Sequence, residues 1–146
     1  MRGCEPSPSA GATYPLEVYV VAGNVTGLAA GIYHYKPQSH EITHETSGDR
    51  RQALAAAALG QSMIEDAPLS LVIAAINERT SPRYGERTER YVAMEAGHAA
   101  QNVYLQATAL GLGTVVVGAF DDGGVSRVMG LGQARPLYIM PVGLLS

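Results

Sequence analysis

Two histidines and a glutamate stand at a spacing that is typical of one kind of zinc site. His40, Glu41 and His44 fit the pattern H-E-x-x-H. In a helix, this pattern directs both imidazoles at one zinc ion and places the glutamate beside the water that the metal activates. A helical segment here would therefore predict a zinc hydrolase.

The residues around this pattern favour an extended segment instead. Ile42 and Thr43 are β-branched, and Gly48 follows the segment closely, as is typical of a strand and its end. In a strand, His40 and His44 would lie about 13 Å apart at about 3.3 Å per residue, whereas zinc holds each nitrogen at about 2.0 to 2.1 Å. We therefore predict an exposed hairpin with no bound metal.

Two single side chains could also take part in catalysis. Cys4 could act as a nucleophile, but it has no histidine at local spacing, and the alternative is an incidental thiol. His98 could shuttle protons within a buried helix, and the alternative is a hydrogen-bonded core histidine. The sequence favours the alternative for both residues, so neither predicts a catalytic site.

A run of small residues lies near the beginning of the chain, with the sequence PSAGA at residues 8–12. This segment, here named the small-residue loop, has little side-chain volume, and proline restricts its backbone. Because it leads into an apolar strand, its backbone amides could approach a flat ligand closely. The alternative is a terminal tail.

These candidate residues need strands and helices to position them. Apolar and β-branched runs bounded by proline or glycine predict strands, and alanine-rich or mixed apolar stretches predict helices. Asp49, and either Asp121 or Asp122, stand where they could cap the first and third helices. The predicted strands cover residues 16–22, 31–35, 40–45, 67–76, 114–120 and 136–142, and the predicted helices cover residues 50–61, 82–110 and 121–131.

The longest predicted helix has two unlike parts. Up to Arg90 it is rich in charge, which is typical of a solvated face. Beyond that point, residues 91–110 are apolar or small nearly all round, and their polar residues Glu95, His98, Asn102 and Gln106 form one stripe. A helix of this kind is buried from several sides. In so small a chain we expect a second copy to cover it, and the alternative is the core helix of a monomer.

Length and composition limit the class of protein. The 146 residues have a formal net charge of −3, with 47% hydrophobic and 16% charged residues. These values predict one globular domain over residues 1–146. The slightly acidic balance argues against nucleic acid as a partner, and no apolar run reaches the roughly 20 residues that cross a bilayer. With no secretory signal pattern and one cysteine, we expect a cytoplasmic protein without a membrane partner.

Five segments, taken in order, resemble one known family. They are PSAGATYPLE from residue 8, GIYHY from residue 31, Tyr91 with EAGHAAQN from residue 95, GAFDD from residue 118 and MPVG from residue 140. Together they resemble the nitroreductase superfamily, and in particular its SagB-type branch, over nearly the whole chain. The resemblance implies an α+β fold with a central, mostly antiparallel sheet flanked by helices, and a long central helix that joins two copies into a homodimer.

The same resemblance implies a flavoprotein. It implies an FMN-dependent oxidoreductase with two sites at the dimer interface, NAD(P)H as an electron donor, and a small-molecule or peptide substrate. Arg90 and Tyr91 stand where azoline-oxidising members carry a Lys-Tyr pair, and no catalytic residue is assigned. The residues that correspond to the flavin-lining segments are Pro8, Ser9, Ala10, Gly11 and Ala12 of the small-residue loop, and Gly118, Ala119 and Phe120, here named the glycine turn.

The chain also departs from the family pattern. The arginine-rich segment that grips the FMN phosphate in the family, and the basic residue that follows its P-V-G strand, have no counterparts here, as though the chain were shortened at both ends. Because charge-assisted hydrogen bonds contribute strongly to binding, their loss predicts weak FMN binding. The alternative function is a shortened protein of the same fold that binds no flavin and acts as a binding or assembly protein.

Overall fold

A six-stranded sheet forms the centre of the computed structural model, which describes residues 7–144. Its strand order is β3-β2-β1-β4-β6-β5, and every pairing in it is antiparallel. The α+β class with an antiparallel sheet is therefore confirmed. The strands are β1 (Leu16–Ala22), β2 (Gly31–Lys36), β3 (Glu41–Ser47), β4 (Leu69–Ala75), β5 (Leu112–Thr114) and β6 (Arg135–Leu144).

Helices cover both faces of this sheet. Val72 and Ala74 of β4 belong to one buried cluster with residues of α1, α2 and α5, whereas Ile73 belongs to a second cluster with Ala96 and Ala100 of α4. Successive strand residues point to opposite faces, so the sheet is shared by two apolar layers. The helices are α1 (Arg51–Ala57), α2 (Ser62–Asp66), α3 (Ser81–Tyr84), α4 (Thr88–Ala109) and α5 (Asp122–Met129).

The predicted hairpin around the H-E-x-x-H pattern is confirmed. Tyr35 pairs with Ile42 and Tyr33 with His44 across β2 and β3, and all of β3 except Thr46 is exposed. His40 lies in the turn before β3, and its Nδ1 is 2.8 Å from the Tyr35 hydroxyl. Between residues 7 and 144, no group of three or more histidine, cysteine, aspartate or glutamate side chains is arranged to hold a metal ion. Cys4 lies outside the described residues.

The prediction of one helix over residues 50–61 was wrong. The chain leaves the helix after Ala57, because Leu59 and Gly60 adopt left-handed backbone angles of φ 60° and 72°. It becomes helical again as α2. At the other end, the residue at the N-cap is Arg50, which makes no side-chain cap bond, so the prediction that Asp49 caps this helix was wrong. The carboxylate of Asp49 does accept a hydrogen bond of 3.0 Å from the Arg51 amide. The hydrogen bond from the Arg51 guanidinium also lowers the pKa of Asp49.

The predicted strand over residues 114–120 was largely wrong as well. Strand β5 ends at Thr114, and beyond it only Val117 pairs with β6, through a single bridge to Ile139. The amide of Val116 donates to the Tyr104 hydroxyl at 2.8 Å. A side chain of α4 therefore takes the hydrogen bond that a longer strand would have made.

Helix α4 begins later than predicted. Gly85, with φ 51° and ψ −124°, interrupts the segment from residue 82, so α3 and a 3₁₀ turn (Gly85–Arg87) precede Thr88. Its far end is close to the expected position, since α4 ends at Ala109 and Gly111 is left-handed with φ 71°. None of the helices within residues 7–144 is long and apolar enough to cross a membrane.

Candidate functional site

The small-residue loop adopts an unusual backbone. Gly11, Ala12 and Tyr14 all lie in the left-handed region, with φ of 58°, 55° and 46°. Hydrogen bonds of 3.1 Å from the Ala12 amide to the Ser9 carbonyl and of 2.9 Å from the Tyr14 amide to Ser9 Oγ close the loop on itself. Left-handed angles at non-glycine residues are strained, and such strain is often found at functional sites. The loop is thus an ordered structure, unlike the terminal tail that the sequence left open.

A cavity of about 250 Å³ lies between this loop and the first half of α4. Glu95 is almost fully buried at its base, and Gly11 and Ala12 are exposed at the edge of the loop. His98 is also exposed, so the interpretation of this residue as a core histidine was wrong. The cavity is lined by Pro8, Ser9, Ala10, Tyr91, Met94, Glu95 and His98.

A larger cavity of about 740 Å³ is also lined by Glu95, and several of its polar side chains contact one another. Lys36 Nζ is 2.6 Å from His34 Nδ1, His34 Nε2 contacts Glu17, and Arg79 forms an ion pair with the same carboxylate. The imidazole of His34 stacks on the ring of Tyr19 at 4.3 Å, and burial, reinforced by Glu17, raises the pKa of Tyr19. These contacts link β1 and β2 to the segment that contains Arg79.

The glycine turn is held in place by hydrogen bonds to α1 and to Gln61, the residue that precedes α2. The amide of Asp121 donates to the Ala57 carbonyl at 2.9 Å, and Gln61 Nε2 donates to the Ala119 carbonyl at 2.9 Å. The carboxylate of Asp121 accepts from the Gly124 amide at 2.9 Å, which caps α5 and decides between the two predicted caps. Phe120 packs partly into the core. The turn is therefore fixed from behind.

The backbone of this turn offers hydrogen-bond donors. The amides of Gly118, Ala119 and Phe120 donate to no acceptor within residues 7–144. Gly118 and Ala119 are exposed. Three consecutive amides in a fixed turn form a preorganised donor group for a ligand atom that gains negative charge.

The two predicted segments do not meet within one chain. The small-residue loop borders α4, on one face of the sheet, and the glycine turn contacts α1 and α2, on the other. No hydrogen bond among the described residues joins the two segments, and neither cavity contains residues of both. A site that uses both segments must therefore include a second chain or a ligand long enough to bridge them.

One functional segment was missed by the sequence analysis. Residues 79–83 contact the small-residue loop through Arg83 and the two residues that follow the loop through Arg79 and Thr80. The sequence analysis interpreted the charged part of this segment as the solvated start of the long helix. Gly85 is the signal that could have separated it from α4. Arg90 is exposed and Tyr91 packs edge-on against Tyr84 at 5.0 Å, beside the smaller cavity.

Comparison with known proteins connects this geometry to one family. The chain is 51% identical to nitroreductase MJ1384 of Methanocaldococcus jannaschii over 142 residues, which are 97% of this chain and 71% of that protein. It is 32% identical to the microcin B17-processing protein McbC of Escherichia coli over 145 residues, 94% of this chain and 53% of McbC. The chain thus spans only part of the length of its relatives.

Solved structures and family profiles agree with these relatives. The E. coli microcin synthetase complex McbBCD, with truncated pro-MccB17 bound, contains a chain that superposes with a TM-score of 0.83 at 28% identity, over 99% of this chain and 57% of that one. The peptide-processing relatives support the SagB-type branch that the motifs indicate. The profile described as the nitroreductase family matches residues 2–144. The chain belongs to the nitroreductase family.

Proposed function

We propose that this protein is an FMN-dependent oxidoreductase in which the small-residue loop and the glycine turn contact the flavin. The observation that carries the proposal is the row of amides at Gly118, Ala119 and Phe120, which have no acceptor among the described residues. FMN supplies a ring that accepts and returns two electrons. Its N5 atom gains electron density and a proton on reduction, so a fixed amide donor stabilises the reduced form without reorganisation.

The small-residue loop fits the edge of a flat ring for a different reason. Its exposed residues, Gly11 and Ala12, have little or no side chain, and their left-handed backbone leaves the peptide groups accessible. The adjoining cavity reaches Tyr91 and His98 on α4. Small residues and backbone groups can therefore approach a ring from this side without a steric barrier.

A second copy of the chain would bring the two segments to one ligand. Helix α4 exposes Met94 and Leu105, which are eleven residues apart and so lie on one face of the helix, with 53% and 61% of their surfaces accessible. Gly97 lies between them in sequence, and an added Cβ there would meet nothing within 4 Å. Exposed apolar side chains with an unobstructed glycine between them are suited to close helix packing. We therefore propose a homodimer packed through α4, with each flavin between a loop and a turn of different copies.

The substrate class follows from the relatives and from one pair of residues. McbC and its complex process peptides by name, which supports a peptide or small-molecule substrate, with NAD(P)H as the donor that reduces the flavin. Arg90 occupies the position of the lysine in azoline oxidases, and a guanidinium stays protonated. We propose that this chain does not use that residue as a general base. A cytoplasmic location, without nucleic-acid or membrane partners, stays a prediction.

Titration with FMN, followed by flavin fluorescence, tests the proposal. We expect saturable quenching at tens of micromolar protein, together with a dimeric mass by light scattering. A dimer burying more than roughly 1,000 Å² would have the area of a specific interface. No quenching would reject the flavoprotein and favour the alternative, a protein of this fold that acts in binding or assembly. A monomeric mass with saturable quenching would reject the shared site.

A further inference from the structure

The conformation of the small-residue loop is imposed from another part of the chain. Three side chains from residues 79–83 reach the loop and the two residues that follow it. Arg79 Nη1 donates to the Tyr14 carbonyl at 3.0 Å, Thr80 Oγ1 lies 2.8 Å from Thr13 Oγ1, and Arg83 Nη1 donates to the Gly11 carbonyl at 3.2 Å. We name these three residues, Arg79, Thr80 and Arg83, the loop clamp.

The loop needs such support because its backbone is strained. Ala12 and Tyr14 are left-handed at φ 55° and 46° although both carry a Cβ. A strained conformation persists only when its surroundings hold it in place. The clamp contacts residues 11, 13 and 14, so it contacts the chain on both sides of the strained Ala12.

The clamp itself is anchored in the fold. Thr80 is 1% exposed, and Arg79 forms an ion pair with Glu17 of β1, whose side chain is 13% exposed. Glu17 also contacts His34 of β2. The positions of these two clamp residues are therefore determined by the sheet and the buried core. Arg83 is exposed, and its contribution depends on its contact with Gly11 alone.

We propose that Arg79, Thr80 and Arg83 are positioning residues, which hold the small-residue loop in the conformation that contacts the flavin. They act through the backbone of the loop and touch no ligand themselves. The assignment rests on the proposed function where it concerns FMN. The part that concerns the shape of the loop is independent of any ligand.

Two pairs of variants separate the clamp from a general effect on folding. Thr80→Val keeps the volume but removes the hydroxyl, and Thr80→Ser restores the hydroxyl. Arg83→Met removes the donor of an exposed residue, where substitution usually changes stability little, and Arg83→Lys restores a donor. Ser70→Ala is the matched control, because Ser70 has a buried hydroxyl without a hydrogen-bond partner among the described residues. Arg87→Met is the exposed control from the adjacent 3₁₀ turn.

The first readout is amide exchange by NMR in the protein without FMN. The amides of Ala12, Thr13 and Tyr14 have acceptors within the loop, so their exchange reports its opening. We expect Thr80→Val and Arg83→Met each to speed exchange at these amides by about fivefold, the factor that corresponds to one typical hydrogen bond. In Thr80→Ser, Arg83→Lys, Ser70→Ala and Arg87→Met, the same amides should exchange at rates within about twofold of the wild type.

The second readout is the dissociation constant for FMN, measured beside urea unfolding. The dissociation constant should rise by about fivefold in Thr80→Val and in Arg83→Met, and the urea midpoint of Arg83→Met should stay unchanged. If Thr80→Val and Arg83→Met both kept the wild-type exchange rates and the wild-type FMN affinity, the proposed clamp would be overturned. Faster exchange with no FMN binding by any protein, including the wild type, would overturn the proposed function and support the clamp.

Discussion

The small-residue loop and the glycine turn are expected to do similar work, but they are held in different ways. The loop depends on side chains 65 to 72 residues away in sequence, supplied by Arg79, Thr80 and Arg83. The turn depends mainly on backbone hydrogen bonds, through Val117 with Ile139 and Asp121 with Ala57. Gln61 is the side chain that supports the turn from outside it.

This difference affects how each segment should respond to mutation. An added Cβ at Gly11 would lie 2.5 Å from the Tyr84 hydroxyl, whereas one at Gly118 would meet only the Tyr138 ring, at 3.7 Å. The loop glycine is thus constrained by the chain itself, and the turn glycine is not. Any requirement for glycine at position 118 must come from something that approaches the turn from outside.

The largest expected effect is that of Gly11→Leu. The left-handed backbone at φ 58° and the contact with Tyr84 both oppose a side chain there. Together they should cost the loop about 3 kcal/mol, on the order of a hundredfold in FMN affinity. Fluorescence titration measures this loss, and adding Tyr84→Phe should restore part of the affinity.

The control for this variant is Gly27→Leu. Gly27 is left-handed at φ 79°, but an added Cβ there would meet nothing within 4 Å. It therefore carries the backbone strain without the steric contact and lies outside the proposed site. If Gly27→Leu weakened FMN binding as much as Gly11→Leu, the effect would be one of general instability.

A second prediction concerns a variant that removes the proposed contact between two copies and leaves the small-residue loop and the glycine turn intact. Replacing Leu105 by Glu puts a charge on an exposed apolar position of α4 that lines neither cavity, and buried unpaired charges oppose association. We expect a monomeric mass of about 15.3 kDa by light scattering, and FMN affinity at least roughly tenfold lower because each site loses one side. Ile42→Glu, on an exposed position of β3, should change neither property.

A smaller effect is expected from Gly118→Leu. Because an added Cβ at Gly118 would make only an ordinary contact with the Tyr138 ring, at 3.7 Å, the free energy of unfolding should change by less than about 0.5 kcal/mol, as at other surface positions. The side chain would nevertheless cover the exposed amides, so FMN affinity should fall by roughly tenfold, or about 1.4 kcal/mol. Urea unfolding and fluorescence titration together measure the two quantities. Unchanged affinity would show that the turn does not face the flavin.

The smallest effect is expected at the end of the turn. Asp121→Ala removes the cap of α5 and should lower the free energy of unfolding by about 1 kcal/mol. Asp122→Ala lies in the first turn of the same helix but removes no cap bond, and it should lower stability by less than half as much. Thermal unfolding of both variants checks the difference, and equal losses would contradict the assigned cap.

Much of the fold could be predicted because its signals are local. Strand β1 occupies residues 16–22 as predicted, and the alternation around Tyr33 and Tyr35 correctly indicated a hairpin. The failures share one cause, a tertiary contact or backbone angle with no periodic signature. Examples are the Tyr104 hydroxyl that takes the Val116 amide, and the left-handed Leu59 that divides a predicted helix. The roles of the site residues stay predictions.

By itself, the sequence determined the family and the two segments to be examined, because these depend on short motifs in a set order, and the resemblance to that family implied the α+β class. Only the tertiary structure decided that the loop is strained, that it is clamped by Arg79, Thr80 and Arg83, and that it lies on the opposite face of the sheet from the glycine turn. These features arise from side chains that meet across 65 or more residues of chain. Contacts between residues so far apart in sequence leave no local pattern from which they could be predicted.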